Sequence, residues 1–214
     1  METIKKDDFV EIKFTGRVRD SEIFDTNIEE DAEKIGLKIE KKPFIICIGQ
    51  RMVIEGLDKE LDGKEIGKKY NVILTPKESF GERRRELINL IPMKAFAEKN
   101  VFPKPGMTLT LDNHLVRIVS VSGGRVLVDF NNPLAGKEIV YDFIIKRKID
   151  NLNEKIDSLL NYFIYKNFMK EKIDFKLIDG KVVFETDKFF TPLIEMIGKK
   201  FSDILGVEFS ITEI

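Results

Sequence analysis

Few side chains in this sequence could act as a nucleophile, a general base or a metal ligand. The one cysteine, Cys47, lies in the apolar run Phe44-Ile45-Ile46-Cys47-Ile48. No histidine stands near it in sequence to draw off its proton, so the spacing reads as a buried, inert thiol. A single cysteine also excludes a disulfide framework within the chain. The one histidine, His114, stands beside a turn. It excludes a multi-histidine metal site and reads as a surface or loop position. There is no Gly-x-Ser-x-Gly elbow, no phosphate-binding glycine loop, no paired cysteine and no His-Glu-x-x-His. Asp7-Asp8 and Glu29-Glu30-Asp31 read as solvated loop charge. An enzyme built from these residues is expected to need no cofactor, no metal and no nucleophile.

What remains is a scatter of aromatic and aliphatic side chains among polar and charged ones. One reaction needs nothing more. Rotation about an X–Pro peptide bond breaks no σ bond, and its barrier of about 18–20 kcal/mol is amide resonance. Uncatalysed, it takes tens to hundreds of seconds. A dry pocket that desolvates the amide and prefers the twisted state over the planar one lowers that barrier. Read one by one, Phe14, Phe24, Phe44 and Phe80 suit an ordinary core, and Asp25 an ordinary turn.

The elements that would position these residues follow from composition and periodicity. The chain has 214 residues, 43% of them hydrophobic and 34% charged. That excludes a mainly disordered state. No stretch approaches the roughly 20 apolar residues of a membrane helix, and Met1 to Val10 shows no apolar signal core. Lys and Arg number 36 against 37 Asp and Glu, a net charge of −1, so the overall charge calls for neither nucleic acid nor a membrane surface. The Lys-, Glu- and Ile-rich composition leans toward a reducing, cytoplasmic compartment.

Phe9 to Val18 alternates in period two and predicts a half-buried strand. Thr26 to Lys42 is polar and acidic and reads as a loop or irregular bulge. Pro43 to Gly49 reads as a buried strand, Val53 to Leu61 as a short helix stopped at Gly63, and Tyr70 to Leu74 as another strand. Arg83 to Asp129 opens on three arginines and holds a short helix at Met93 to Lys99. Strands about Leu109–Leu111, Val116–Val119 and Val126–Val128 follow, with a Gly123-Gly124 turn. Ile139 to Ile145 is a long apolar strand. Asp150 to about Glu171 is the best helix, with Leu152, Ile156, Leu159, Leu160, Phe163 and Met169 on its apolar stripe. A hairpin around Asp179-Gly180, a helix from Thr191-Pro192 to Leu205 and a last strand at Val207 to Thr212 complete the tail.

The order and spacing of several of these pieces carry a resemblance. They are Phe14-Thr15-Gly16, Phe24-Asp25, Pro43-Phe44 to Gly49, Val53-Ile54-Glu55-Gly56-Leu57, Gly67, Thr75-Pro76 with Phe80-Gly81, and Ile139 to Phe143. Together they resemble the FKBP-type peptidyl-prolyl cis-trans isomerases. The SlyD-like branch is closest, because Asn131 to Lys137 and Gly56 to Leu61 resemble its loop and helix segments. The resemblance covers about residues 4 to 149.

It implies an α+β fold in which an antiparallel sheet wraps a short helix. Residues 1–83 and 130–149 would form the isomerase domain. Residues 84–129 would be a small β-rich chaperone domain inserted in its flap. Residues 150–214, a small α+β domain, resemble more loosely the C-terminal domain of long archaeal members, which the resemblance links to a homodimer.

Pocket roles carry over position by position. Phe14 would line one wall, Phe24 and Phe44 the aromatic sides, and Asp25 would be the polar group near the amide. Val53 and Ile54 would supply an edge and an aliphatic wall, with the Ile54 amide facing a substrate carbonyl. Leu57 would be the floor, and Leu134, Ala135 and Tyr141 would close the far side. Phe80 stands where relatives usually carry tyrosine, and Asn132 replaces the loop histidine of the branch. The missing phenol at Phe80 removes a hydrogen bond worth roughly 0.5–1.5 kcal/mol.

The insert is more apolar than a loop needs to be. Leu87, Ile88, Leu90, Ile91, Met93, Phe96 and Phe102 are candidates for a surface that holds unfolded or proline-containing polypeptides. They also suit the insert's own small core, and both readings can hold in part. Two functions stand beside each other: an isomerase with a chaperone insert, and a non-catalytic holdase on a degenerate scaffold. A third, RNA binding through the basic insert, lacks the aromatic stacking platform that single-strand binders use.

Overall fold

Alternating apolar residues next to short turns should pair locally, and long alternating runs should meet across the chain. Both occur in the computed structural model, which describes residues 2–165, 173–178 and 180–213. The first stretch forms β1 (Phe9–Val18), β2 (Ile23–Thr26), α1 (Glu29–Lys34), β3 (Ile45–Cys47), α2 (Glu55–Leu61) and β4 (Lys69–Leu74). The insert contributes β5 (Ile88–Pro92), α3 (Met93–Ala97), β6 (Thr108–Leu111), β7 (His114–Ser122) and β8 (Arg125–Asp129). Then come β9 (Ile139–Lys148), α4 (Leu152–Leu160), β10 (Asp174–Ile178), β11 (Lys181–Thr186), α5 (Thr191–Leu205) and β12 (Phe209–Glu213).

The first sheet runs β2-β1-β9-β4, with β3 also on β1, and every pairing in it is antiparallel. The pleat puts Ile12, Phe14 and Gly16 opposite Ile145, Phe143 and Tyr141, and Tyr70 and Val72 opposite Phe143 and Tyr141. Leu57 and Leu61 of α2 are buried against this face. Each such burial stabilises by about 1.5–3 kcal/mol. The expected sheet wrapped on a short helix is the architecture found.

The insert is a second sheet, β5-β8-β7-β6, closed by local pairings. Its own hydrophobic cluster comprises Phe96, Leu111, Val116, Ile118, Val126 and Val128. The chain passes between the two sheets twice, near Arg84 and near Asn131, and one amide clamps the crossings together. Asn131 Oδ1 accepts the Arg84 N–H at 2.8 Å, while its Nδ2 donates to the Arg84 carbonyl at 2.9 Å and to Asp129 Oδ1 at 2.7 Å. Arg83 Nη2 meets Asp129 Oδ2 at 2.6 Å.

The tail forms a third sheet, β10-β11-β12, in which β11 and β12 run parallel. Its buried residues join those of the first sheet in one continuous cluster, from Phe9 and Ile46 through Ile156 and Leu160 to Phe184 and Phe201. Among the described residues, no helix is long and apolar enough to cross a membrane.

Two expectations need correction, and one element was not foreseen. Thr26 to Lys42 is not wholly irregular, since it contains α1. That helix is short, uncapped by a side chain and buries only Ala32, so it has almost no apolar stripe to reveal it. The strand β5 (Ile88–Pro92) has no counterpart among the expected elements. The tail helix leaves α geometry after Leu160 and continues as a π-helical turn over Asn161–Tyr165. The expected stripe residue Met169, the helix end near Glu171 and the turn residue Asp179 lie outside the described residues.

Candidate functional site

Five aromatic rings from separate elements meet over the inner face of the first sheet. Phe14 of β1 stands 5.7 Å from Phe44, just before β3, and 5.9 Å from Tyr141 of β9. Phe24 of β2 meets Tyr141 edge-on at 6.1 Å and Phe80 edge-on at 5.6 Å. The rings thus form a chain, Phe44–Phe14–Tyr141–Phe24–Phe80. Such tilted and edge-to-face contacts contribute about 0.5–1.5 kcal/mol each beyond area burial. Phe14 and Tyr141 are buried, whereas Phe24, Phe44 and Phe80 keep part of their surface open.

The register explains the grouping. Gly16 of β1 lies directly opposite Tyr141. A Cβ at Gly16 would stand 2.8 Å from Tyr141 Cε1 and 3.0 Å from Phe24 Cζ. Glycine is what lets the two rings close over the strand. Asp25 is exposed on β2, its Cα paired with that of Gly16. Burial, and after it the Asp25 carboxylate, push the Tyr141 phenol well above its ordinary pKa. The phenol therefore stays protonated and able to donate, while the carboxylate puts negative charge beside an otherwise apolar ring set.

Val53 and Ile54, at the entrance to α2, are half-buried and pack against the hydrophobic core that also holds Phe14 and Tyr141, and Leu57 is fully buried in it. Leu134 packs there too. Its loop is shaped by Asn132, whose Oδ1 accepts the Leu134 N–H at 2.8 Å. Asn132 thus builds a local turn in this loop. Ala135 faces elsewhere. It lines a cleft of about 560 Å³ between this loop and the insert, together with Arg83, Leu115, Arg117, Val119 and Lys137. Cys47 is fully buried, and its thiol is pushed up to about 12, first by burial and then by nearby carboxylates. A neutral buried thiol at physiological pH is no nucleophile.

Within the insert the candidate surface divides. Leu90 and Phe102 are 60% and 79% exposed, and Leu87 and Ile88 are half-buried. Phe96 is not surface, at 3% exposure in the insert's own cluster, and Ile91 and Met93 pack against that cluster. The reason is geometric, because α3 buries Phe96 in one cluster with Leu111, Val116, Ile118, Val126 and Val128. Leu115, Val119 and Met107, which were not singled out from the sequence, are exposed instead. The alternation along β7 held that signal, since Val116 and Ile118 point in and their neighbours must point out.

Two positioning groups also escaped the sequence reading. The buried Asp58 of α2 accepts the N–H groups of Gly49 and Arg51, each at 2.9 Å, and so fixes the turn that leads into Val53. Asn131 clamps the insert, as described above. Neither role has a signature in residue type alone.

The comparisons with known proteins agree with this geometry. A family model described as FKBP-type peptidyl-prolyl cis-trans isomerase matches residues 1–101, and one described as FKBP26, IF domain, matches residues 89–134. The short-type peptidyl-prolyl cis-trans isomerase of Methanocaldococcus jannaschii is 32% identical over 146 residues, covering 67% of this chain and 92% of that protein. The FKBP-type isomerase SlyD of Aeromonas hydrophila is 33% identical over 125 residues, 56% of this chain and 58% of that protein. SlyD of Vibrio cholerae is 29% identical over 116 residues, 52% of this chain and 57% of that protein. With nearly the whole of an archaeal relative matched by residues that build the ring-lined sheet, this chain belongs to the FKBP-type peptidyl-prolyl cis-trans isomerase family.

Proposed function

We propose that this protein accelerates the cis–trans rotation of X–Pro bonds at the aromatic cluster, and that residues 84–129 hold unfolded polypeptide beside it. The observation that carries the reading is the convergence of Phe14, Phe24, Phe44, Phe80 and Tyr141 from five stretches of chain, with Asp25 at their margin. A planar amide is more polar than a twisted one, because resonance places negative charge on its oxygen and positive charge on its nitrogen. An apolar ring set penalises the planar form and tolerates the twisted one. The proline ring packs among the aromatic side chains, and the Asp25 carboxylate biases the field at the rotating bond. No covalent intermediate is required.

The holding function is supported by Leu90, Phe102, Leu115 and Val119, apolar side chains left exposed on the insert. A client held there would present its prolines to the nearby rings at high effective concentration.

A protease-coupled assay on a short prolyl peptide and an aggregation assay on an unfolded protein separate the two activities. We expect Phe24→Ala to lower kcat/KM at least tenfold while leaving aggregation suppression intact. Removal of residues 84–128 should do the reverse on the short peptide and the unfolded protein. An active aggregation assay with no acceleration of the peptide by the parent protein would leave only the holdase reading.

A further inference from the structure

The turn before α2 is held from two sides, and one of the hands belongs to the tail. Arg51 lies in this turn with a left-handed backbone, φ 55°. That conformation costs a non-glycine residue about 1–2 kcal/mol, so the surroundings must maintain it. From α2, the Asp58 carboxylate binds the Arg51 N–H. From the tail, the Tyr162 hydroxyl donates to the Arg51 carbonyl at 2.7 Å.

Tyr162 sits in the π-helical turn after α4, a geometry that is rare and often placed at functional sites. Its ring meets Phe163 edge-on at 5.0 Å, and Phe163 packs on Phe201 of α5. The hydroxyl is thus anchored in the tail's own aromatic packing. The chain runs from Arg51 through the buried Met52 to Val53 and Ile54, which pack against the same hydrophobic core as Phe14 and Tyr141.

We propose that Tyr162 is a positioning residue for the isomerase site, acting through the Arg51 carbonyl to set where Val53 and Ile54 stand. This rests on the isomerase reading given above. The tail then has a role in catalysis inside one chain, separate from any role in assembly. Loss of the hydroxyl leaves the rings in place but frees the carbonyl end of the Arg51 peptide. The pocket edge then samples positions that fit the twisted amide less well.

The test is Tyr162→Phe in the full chain, which deletes one oxygen. With a short prolyl peptide, kcat/KM is expected to fall about threefold to tenfold, the range one net hydrogen bond supports. Amide hydrogen exchange supplies the readout that a merely structural role would not give. The Gly49 and Arg51 amides should exchange faster in the variant while those of β1 and β9 are unchanged. An active parent whose Tyr162→Phe variant keeps full kcat/KM overturns the proposal. So does a loss of activity accompanied by faster exchange throughout the first sheet, which marks a general loss of stability. A parent with no isomerase activity is seen before any variant is made, and it removes the isomerase reading and this proposal with it.

Discussion

At the scale of single residues, the site depends as much on an absent side chain as on those present. Gly16 has no unusual backbone, yet an added Cβ would press on Tyr141 and Phe24 at 2.8 and 3.0 Å. Gly16→Ala must therefore move one ring or the strand, and overpacking of this kind costs about 1–3 kcal/mol. We expect kcat/KM to fall at least tenfold with only a few degrees lost from Tm, read by the peptide assay beside thermal unfolding. An unchanged kcat/KM would show that the two rings need not close over the strand. The phenylalanines and Asp25 were legible in the sequence because their order and spacing were informative together. Asp58, Asn131 and Tyr162 were not, because each acts by a hydrogen bond whose partner only the fold brings near. Tyr162 and Arg51 are 111 positions apart.

At the scale of elements, periodicity carried the long strands and helices, and it failed where burial was slight. β1, β9, α4 and α5 each repeat apolar residues at their own period and were readable. In α1 only Ala32 is buried, so the segment looks polar throughout. Asp31 ties it to the sheet by accepting from Thr15 Oγ1 at 2.6 Å. β5 alternates poorly, with Leu90 turned outward, and without its partner β8 it resembles loop. Gly198 shows the same limit from the other side. Mid-helix glycine costs about 1 kcal/mol against alanine, and α5 was readable in spite of it. The structure supplies the reason, since a Cβ there would lie 2.0 Å from Phe209 Cζ, on the strand that follows. Gly198→Ala is therefore expected to lower Tm by several degrees despite its better helix propensity. Gly198→Ala combined with Phe209→Ala should be less damaging than the sum of the two. Calorimetry of the three variants decides it, and strict additivity would refute the contact.

At the scale of the whole molecule, two carboxylates join parts that are remote in sequence, and both respond to acid. Asp129 at the insert crossing is pushed up by burial, but the Asn131 side-chain and backbone donors and the Arg83 guanidinium outweigh it and hold the carboxyl below its usual range. Asp8 is likewise pushed up by burial and more than compensated by Lys148 of β9 and the Lys5 N–H. A carboxyl held lower in the folded chain than in the unfolded one contributes stability above the unfolded pKa, about 3.9. That contribution disappears as pH falls through the folded-state value. Tm should therefore be level from pH 7 to about 5 and decline below about 4. The acid limb should be shallower in Asp129→Asn, and a decline of equal steepness would show that this carboxyl plays no part.

The pairing of β1 with β9 has a consequence for how the chain is made. Val10 finds its sheet partner at Lys148, so the first strand leaves the ribosome long before its mate exists. Among the described residues, the four strands between Ile88 and Asp129 pair only with one another, and short-range contacts of that kind close early. During synthesis, the part proposed to grip other nascent proteins can therefore mature while the part proposed to turn their prolines is still an open ribbon.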